Sequence, residues 1–209
     1  MTGMRSSLKK IIYTQRVEVI ENYNERRDCA DQKIAEFINV CGYLPIAVNN
    51  IFGDVHRFAE EIKPDGIILT GGNDLVTYGG NAPERDETEK RLVEYGLEND
   101  IPIYGFCRGM QFLADYFGLE LTKVTGHVKV QHKVMGHRFF AERIVNSFHN
   151  FAVAADNGIF KAVAWSEDGV IEAMNHVNKQ IYAVMWHPER ERPFLEEDID
   201  FMHRIFGKL

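Results

Sequence analysis

Of the three cysteines in the chain, Cys107 alone is bracketed by glycines, in Gly105-Phe106-Cys107-Arg108-Gly109. The apolar run Ile101 to Phe106 leads into this stretch, and a segment of helical periodicity leads away from it. That order predicts a strand, a sharp turn with the thiol at its tip, and a helix. Glycines on either side suit such a turn, which brings backbones close and strains its central residue. At a helix N-terminus, free N–H groups and the helix dipole favour the thiolate, which is the nucleophilic form of cysteine. A free cysteine is otherwise most often a small buried apolar residue. The two glycines argue against that reading here.

A nucleophilic cysteine needs a base to hold its proton and to deliver one to the leaving group, and an acid commonly orients that base. Eight histidines are present. His187 stands out because it follows the apolar run Ile181 to Trp186 and is succeeded by Pro188 and Glu189. In extended backbone, residues two apart project to one side, so Glu189 is placed to accept from the His187 ring. A solvated turn is the competing reading of His-Pro-Glu taken alone. An attacked carbonyl also needs N–H donors for its oxyanion. The backbones of Gly72, at the end of another apolar strand, and of Arg108, just after the nucleophile, are the candidates, with Gly71 allowing close approach.

The elements that must hold these residues alternate through residue 118. Lys10–Thr14, Leu44–Val48, Gly66–Thr70 and Ile101–Phe106 read as strands. Helices are expected from Asp28 to Val40, Asp54 to Ile62, Asp86 to Asn99, and after Cys107. Gln15 to Arg27 reads as a polar loop. Cys29 and Cys41 are expected on the first helix, packed in the core. This alternation predicts an α/β fold with a doubly wound, mostly parallel, flavodoxin-like sheet, whose sites lie outside the carboxyl ends of the strands. From Leu119 onward Val124 to Val134 reads as a His-bearing loop. Short strand-like runs follow at Arg138–Val145, Val153–Ala155, Phe160–Trp165, Val170–Met174 and Ile181–Trp186, as antiparallel strands added at the sheet edge. Glu196 to Phe206 closes the chain as a helix. Residues 1–7 are expected to be a disordered tail and 8–209 a single catalytic domain.

The bulk numbers narrow the function. The chain has 209 residues, 45% hydrophobic and 26% charged, as in ordinary globular domains. A net charge of −7 without a basic block argues against a nucleic-acid partner. No apolar run approaches the roughly 18 residues of a membrane span, and no signal pattern opens the chain. Three widely spaced cysteines do not form a disulfide framework. The cytoplasm is the expected compartment.

Gly-Phe-Cys-Arg-Gly-Met-Gln, the upstream Thr-Gly-Gly-Asn-Asp and the closing Trp-His-Pro-Glu together resemble class I glutamine amidotransferase-like proteins over nearly the whole chain. Arg85-Asp86-x-x-Glu89 and Asn146-Ser147-Phe148-His149 are similar to the γ-glutamyl hydrolase (peptidase C26) branch. The Thr-Gln-Arg opening, with Glu25 to Asp28 after it, resembles small stand-alone members associated with surface-polysaccharide clusters. The resemblance implies a Cys107, His187, Glu189 triad that cleaves a small γ-glutamyl amide through a γ-glutamyl thioester. It implies substrate contacts from Gly71, Asn73, Gln111, His132, Asn146, Ser147 and His149. Gln111 as a partly exposed helix residue, and Arg85 with Asp86 as a structural pair, remain equal alternatives. The other reading is a glutaminase that passes ammonia to a separate synthetase partner. A homo-oligomer is left open.

No cofactor is expected, since no Gly-rich P-loop occurs. His127, His132, His137 and His149 follow no metal-ligand spacing and have no cysteine among them, so no metal is expected. Arg16, Arg26 and Arg27 fall in the loop after the first strand, on the side where the site should open. They read either as solvated charges partnered by Glu25 and Asp28, or as the receptor of an anionic leaving group, to which arginine is suited.

Overall fold

The computed structural model describes residues 7–50, 54–137, 140 and 142–208. In chain order the elements are β1 (Lys10–Thr14), β2 (Arg16–Ile20), β3 (Glu25–Cys29), α1 (Gln32–Val40), β4 (Leu44–Val48), α2 (Val55–Ile62), β5 (Gly66–Leu69), α3 (Pro83–Glu98), β6 (Ile103–Phe106) and α4 (Arg108–Tyr116). There follow β7 (Leu121–Lys123), β8 (Val128–Gly136), β9 (Arg143–Phe148), β10 (Phe151–Val153), β11 (Phe160–Ser166), β12 (Ile171–His176), β13 (Ile181–Val184) and α5 (Glu196–Phe206).

Among the described residues the main sheet runs β4-β1-β5-β6-β13-β12-β11-β8-β9. From β4 to β13 the neighbours are parallel, and from β13 onward each pair is antiparallel. The expected class therefore stands, with antiparallel strands extending one edge, but two runs expected among them do not belong there: β13 is parallel to β6 within the sheet, and β10 pairs with β7 in a separate two-stranded sheet. β5 and β6 are buried at every position, as strands covered on both faces must be. Alternate residues divide between two cores. Ile12, Ile67 and Ile103 pack with α2, α3 and α4 on one face, and Ile11, Ile68 and Tyr104 with α1 and α5 on the other.

Several local expectations are corrected. The segment expected as a polar loop, Gln15 to Arg27, carries an antiparallel hairpin, β2 with β3, in which Arg16 faces Cys29 and Glu18 faces Arg27. Only Val17 of β2 is buried, so the alternation in Arg-Val-Glu-Val is diluted by exposed residues. Cys29 consequently ends a strand. Helix α1 starts later, capped by Asp31, whose carboxylate accepts from Lys33 N–H at 3.1 Å. Cys41 is buried beyond its end, and burial pushes that thiol up to about 12. Helix α3 starts at Pro83, a good first helical position because proline has no N–H to leave orphaned. The segment expected as a His-bearing loop is largely strand β8. The tail expected over residues 1–7 falls outside the described residues except for Ser7, as do Arg138, Phe139 and Ala141 of the run expected from Arg138 to Val145.

Candidate active site

Three adjacent parallel strands, β5, β6 and β13, deliver their carboxyl ends side by side, with β6 in the middle. In register, Leu69 is opposite Gly105 and Phe106 opposite Val184. Gly71, Cys107 and His187 follow those ends, so residues far apart in sequence meet at one edge.

Cys107 has φ 53° and ψ −110°, in a region that residues with a side chain rarely occupy. Its N–H donates to the Val184 carbonyl at 2.8 Å, which ties the turn to β13. A Cβ at Gly109 would lie 2.0 Å from the Leu69 carbonyl oxygen, so only glycine lets the first turn of α4 close on β5. Arg108 is the first residue of α4, where a backbone N–H has no partner within the helix.

The His187 ring is buried, with Nδ1 2.7 Å from Glu189 Oε1. The pairing is not made by an extended segment as expected. Pro188–Arg190 form a 3-10 turn that starts at the proline and brings the carboxylate back beneath the ring. Phe106 and Phe148 meet the ring edge-on, with centroids 6.0 and 5.7 Å away. Burial by itself would drive off the ring's proton. Cys107 and Glu189 outweigh it and raise the ring to about 10. A Cβ at Gly71 would stand 2.6 Å from the ring's Cε1, so the loop after β5 closes on His187 only as glycine.

That loop has a buried support. Arg85, on α3, donates to the carbonyls of Thr70 (2.7 Å), Gly71 (3.1 Å) and Gly72. In a trans peptide the N–H points opposite to the carbonyl. Fixing the Gly71 carbonyl on Arg85 therefore turns the Gly72 N–H away from Arg85. Arg85 also donates to Glu89 at 3.0 Å, and Arg108 donates to Glu89 and Asp86. Thr14 completes the set by donating to Glu89 at 2.9 Å. Burial raises Glu89, and the two guanidinium groups outweigh it, so its carboxyl is held below the usual range. Of the two readings of Arg85 and Asp86, the structure supplies a structural network.

The remaining candidates have internal partners. Asn146 Nδ2 donates to the His187 carbonyl at 2.9 Å, while its Oδ1 accepts from the His187 N–H at 3.0 Å. Sequence reasoning placed Asn146 against substrate and missed this clamp; no local pattern signals it, because its partner lies 41 residues away. Ser147 donates to the His127 carbonyl at 2.7 Å. Gln111 donates to the Phe151 carbonyl at 2.9 Å. Asn73 grips Val17 at both its N–H and carbonyl, fastening the hairpin to the loop after β5. His132 and His149 point at Glu172, on β12. His137 stands apart, edge-on to Trp165.

The three arginines do not act as one group. Arg16 and Arg27 share a hairpin face, since Arg27 is opposite Glu18, and Arg26 lies on the other. Arg16 donates to Glu18 at 2.9 Å and to the Cys29 sulfur at 3.4 Å, and it lines a cleft with Gly71, Gly72 and His187. Arg27 pairs with Glu25 as expected, and Asp28 instead accepts from Asn50. Arg26 reaches to Glu84 and the Asn81 carbonyl.

Comparison with known proteins decides the family. The class-I glutamine amidotransferase family model matches residues 28–194. The chain belongs to the class-I glutamine amidotransferases. Within the family, it is 34% identical over 185 residues to the gamma-glutamyl-CDP-amidate hydrolase of Campylobacter jejuni, covering 85% of this chain and 88% of that one. It is also 34% identical over 137 residues to a subunit of the glutamine-hydrolysing GMP synthase of Methanothrix thermoacetophila, covering 62% of this chain and 70% of that one. The amidotransferase fold superposes on the crystal structure of a GMP synthase subunit from Thermoplasma acidophilum. That match has a TM-score of 0.72 and 22% identity, and covers 97% and 94% of the two chains. Among the described residues of this amidotransferase, no helix is long and apolar enough to cross a membrane.

Proposed function

We propose that the chain is a stand-alone cysteine hydrolase of γ-glutamyl amides. The observation that carries the reading is the juxtaposition of Cys107, strained at the β6–α4 turn, with the His187–Glu189 pair at the end of the neighbouring strand. The Cys107 thiol gives its proton to His187 Nε2, and its sulfur attacks the γ-carbonyl carbon, forming the C–S bond as the carbonyl π pair moves onto oxygen. Backbone N–H groups of Gly72 and Arg108 receive the oxyanion. His187 has Nδ1 held by Glu189, so Nε2 gives its proton to the leaving nitrogen as the C–N bond breaks. Nε2 then takes a proton from water, which attacks the γ-glutamyl thioester, breaks the C–S bond and releases glutamate.

The Campylobacter relative, named for a gamma-glutamyl-CDP-amidate, supports the substrate class in this reading, a γ-glutamyl amide whose leaving group bears phosphate. Arg16 beside Gly72 gives such a group a cationic contact. The GMP synthase relative favours a second reading, a glutaminase serving a separate synthetase. The two are separated by assaying purified protein alone on glutamine and on a phosphate-bearing γ-glutamyl amide. A stand-alone hydrolase turns over the latter without a partner. Silence on both until a synthetase is added would establish the second reading.

A further inference from the structure

A second cluster of buried titratable side chains lies outside the chemistry above. His127 and His149 flank the β8–β9 pair and are joined by the bond from His149 N–H to the His127 carbonyl at 3.1 Å. Both are buried, as is Glu172 at 0% exposure. His127 Nδ1 and His149 Nε2 each stand 3.4 Å from Glu172 Oε1, and the ligand atoms of the three residues lie within 4.8 Å of one another. Among the described residues, none of those three atoms has a hydrogen-bond partner.

The outer ring nitrogens settle where the protons sit. His149 Nδ1 is 3.1 Å from the Phe151 carbonyl, which can only accept, so this nitrogen donates. His127 Nε2 is 3.0 Å from Asp168 Oδ2, an oxygen that also lies on the outer side of the ring and accepts from it. That nitrogen donates too. In the neutral rings, the inner nitrogens then present lone pairs to a buried carboxylate, an arrangement that calls for a cation between them. A ring with its outer N–H on a carbonyl or a carboxylate is the usual setting of a metal-bound histidine. The two nitrogen-to-oxygen separations of 3.4 Å match the edge of a tetrahedron with bonds of about 2.0–2.1 Å, which is about 3.3–3.4 Å, and all three atoms lie within 4.8 Å, close enough to share one ion.

We propose that His127 Nδ1, His149 Nε2 and the Glu172 carboxylate form a binding site for a divalent transition-metal ion of the zinc class. His132, with Nε2 3.3 Å from the same Glu172 oxygen and its side chain 16% exposed, is the fourth donor available at the open side. Two imidazoles and a carboxylate suit zinc over calcium or magnesium, which prefer all-oxygen sets. The ion is structural in placement. It would join the β8–β9 pair to β12, and β9 carries Asn146, which clamps His187. Spacing in the sequence concealed the site because the ligands sit on three separated strand ends.

The test uses the full-length Cys107→Ala protein, so that the catalytic thiol cannot bind metal, stripped with a chelator and titrated with zinc and with cobalt. The site predicts one equivalent bound, a raised Tm, and a cobalt spectrum with tetrahedral visible bands but no thiolate-to-cobalt charge-transfer band. Glu172→Gln keeps the shape of the side chain and should weaken zinc binding by at least about 10-fold. His132→Ala should weaken it less. Should Glu172→Gln fail to fold, the cobalt spectrum of the parent protein still decides. Absence of that spectrum, a thiolate band, or zinc affinity unchanged in a folded Glu172→Gln protein overturns the site and leaves two protonated imidazoles as the counter-charge of Glu172.

Discussion

Asn146 holds the main chain of His187 at both ends of the residue, its amide donating to the carbonyl at 2.9 Å and accepting from the N–H at 3.0 Å. This pairing replaces the ladder bonds that His187 loses by lying past the end of β13. Asn146→Ala should lower kcat by about 10- to 100-fold, and Asn146→Asp, which keeps one acceptor and loses the donor, should fall between wild type and alanine. Leaving two buried main-chain groups unpaired should also destabilise the alanine variant by about 1–3 kcal/mol for each group. Wild-type kcat in Asn146→Ala would show that the ring is positioned without the clamp.

Cys107→Ala should abolish turnover yet leave the fold intact, since the side chain adds little to the core. Its backbone at φ 53° is strained for any residue with a Cβ. Cys107→Gly should therefore be more stable than Cys107→Ala by roughly 1 kcal/mol, the lower end of such strain. Thermal melts of the two inactive proteins compare them directly. Equal melting temperatures would place the strain elsewhere.

Cys107, His187 and Glu189 were legible as candidates because they sit in short, chemically marked runs at strand ends, where backbone and chemistry coincide. The strand-helix alternation up to Cys107 was legible for a similar reason, since β5 and β6 are buried on both faces and read as unbroken apolar runs. The β2–β3 hairpin was not legible, because nearly all of its residues are exposed and polarity there masked the alternation. Strand β8 was missed because histidines and lysines on it suggested a loop, yet His132 faces Glu172 on β12. The Arg85 network and the Asn146 clamp depend on contacts between distant elements, which no local pattern encodes.

The raised pKa of His187 gives stability a specific pH dependence. Burial opposes the charged ring, but Cys107 and Glu189 together raise it from 6.5 to about 10. A group raised on folding stabilises fully below its unfolded value and loses that contribution as pH rises through its folded value. The Tm advantage of wild type over His187→Gln should thus be largest below about pH 6.5 and decline toward pH 10. In the Cys107→Ala background the decline should move to lower pH, because one source of the shift is removed. Parallel melting curves across this range would contradict the assignment.

Arg85 should matter to turnover without touching substrate. It fixes three successive carbonyls of the loop that presents the Gly72 N–H. Arg85→Lys retains charge and loses the planar fork. Its kcat should drop by up to about 10²–10³, the loss typical of one oxyanion donor, with KM nearly unchanged. Stability should fall as well, because Glu89 loses a buried partner. A variant whose KM rises while kcat holds would assign Arg85 to ground-state binding instead.

The arginines of the hairpin separate two accounts of substrate choice. Arg16 and Arg27 share a face, whereas Arg26 lies on the other and is taken by Glu84 and the Asn81 carbonyl. Arg16 alone of the three lines the cleft with Gly71, Gly72 and His187. If that cleft receives a phosphate-bearing leaving group, Arg16→Ala should reduce kcat/KM for such a γ-glutamyl amide by roughly 10- to 150-fold, the equivalent of a charge-assisted hydrogen bond of about 1.5–3 kcal/mol. Turnover of glutamine, which lacks the anion, should change only slightly. Arg26→Ala should affect both substrates alike, through the seating of the hairpin on α3. High salt should erode the advantage of the phosphate-bearing substrate in wild type and have little to erode in Arg16→Ala, because the contact is partly exposed. Equal losses on both substrates in Arg16→Ala would show that this residue props the Gly72 loop and takes no part in recognising the leaving group.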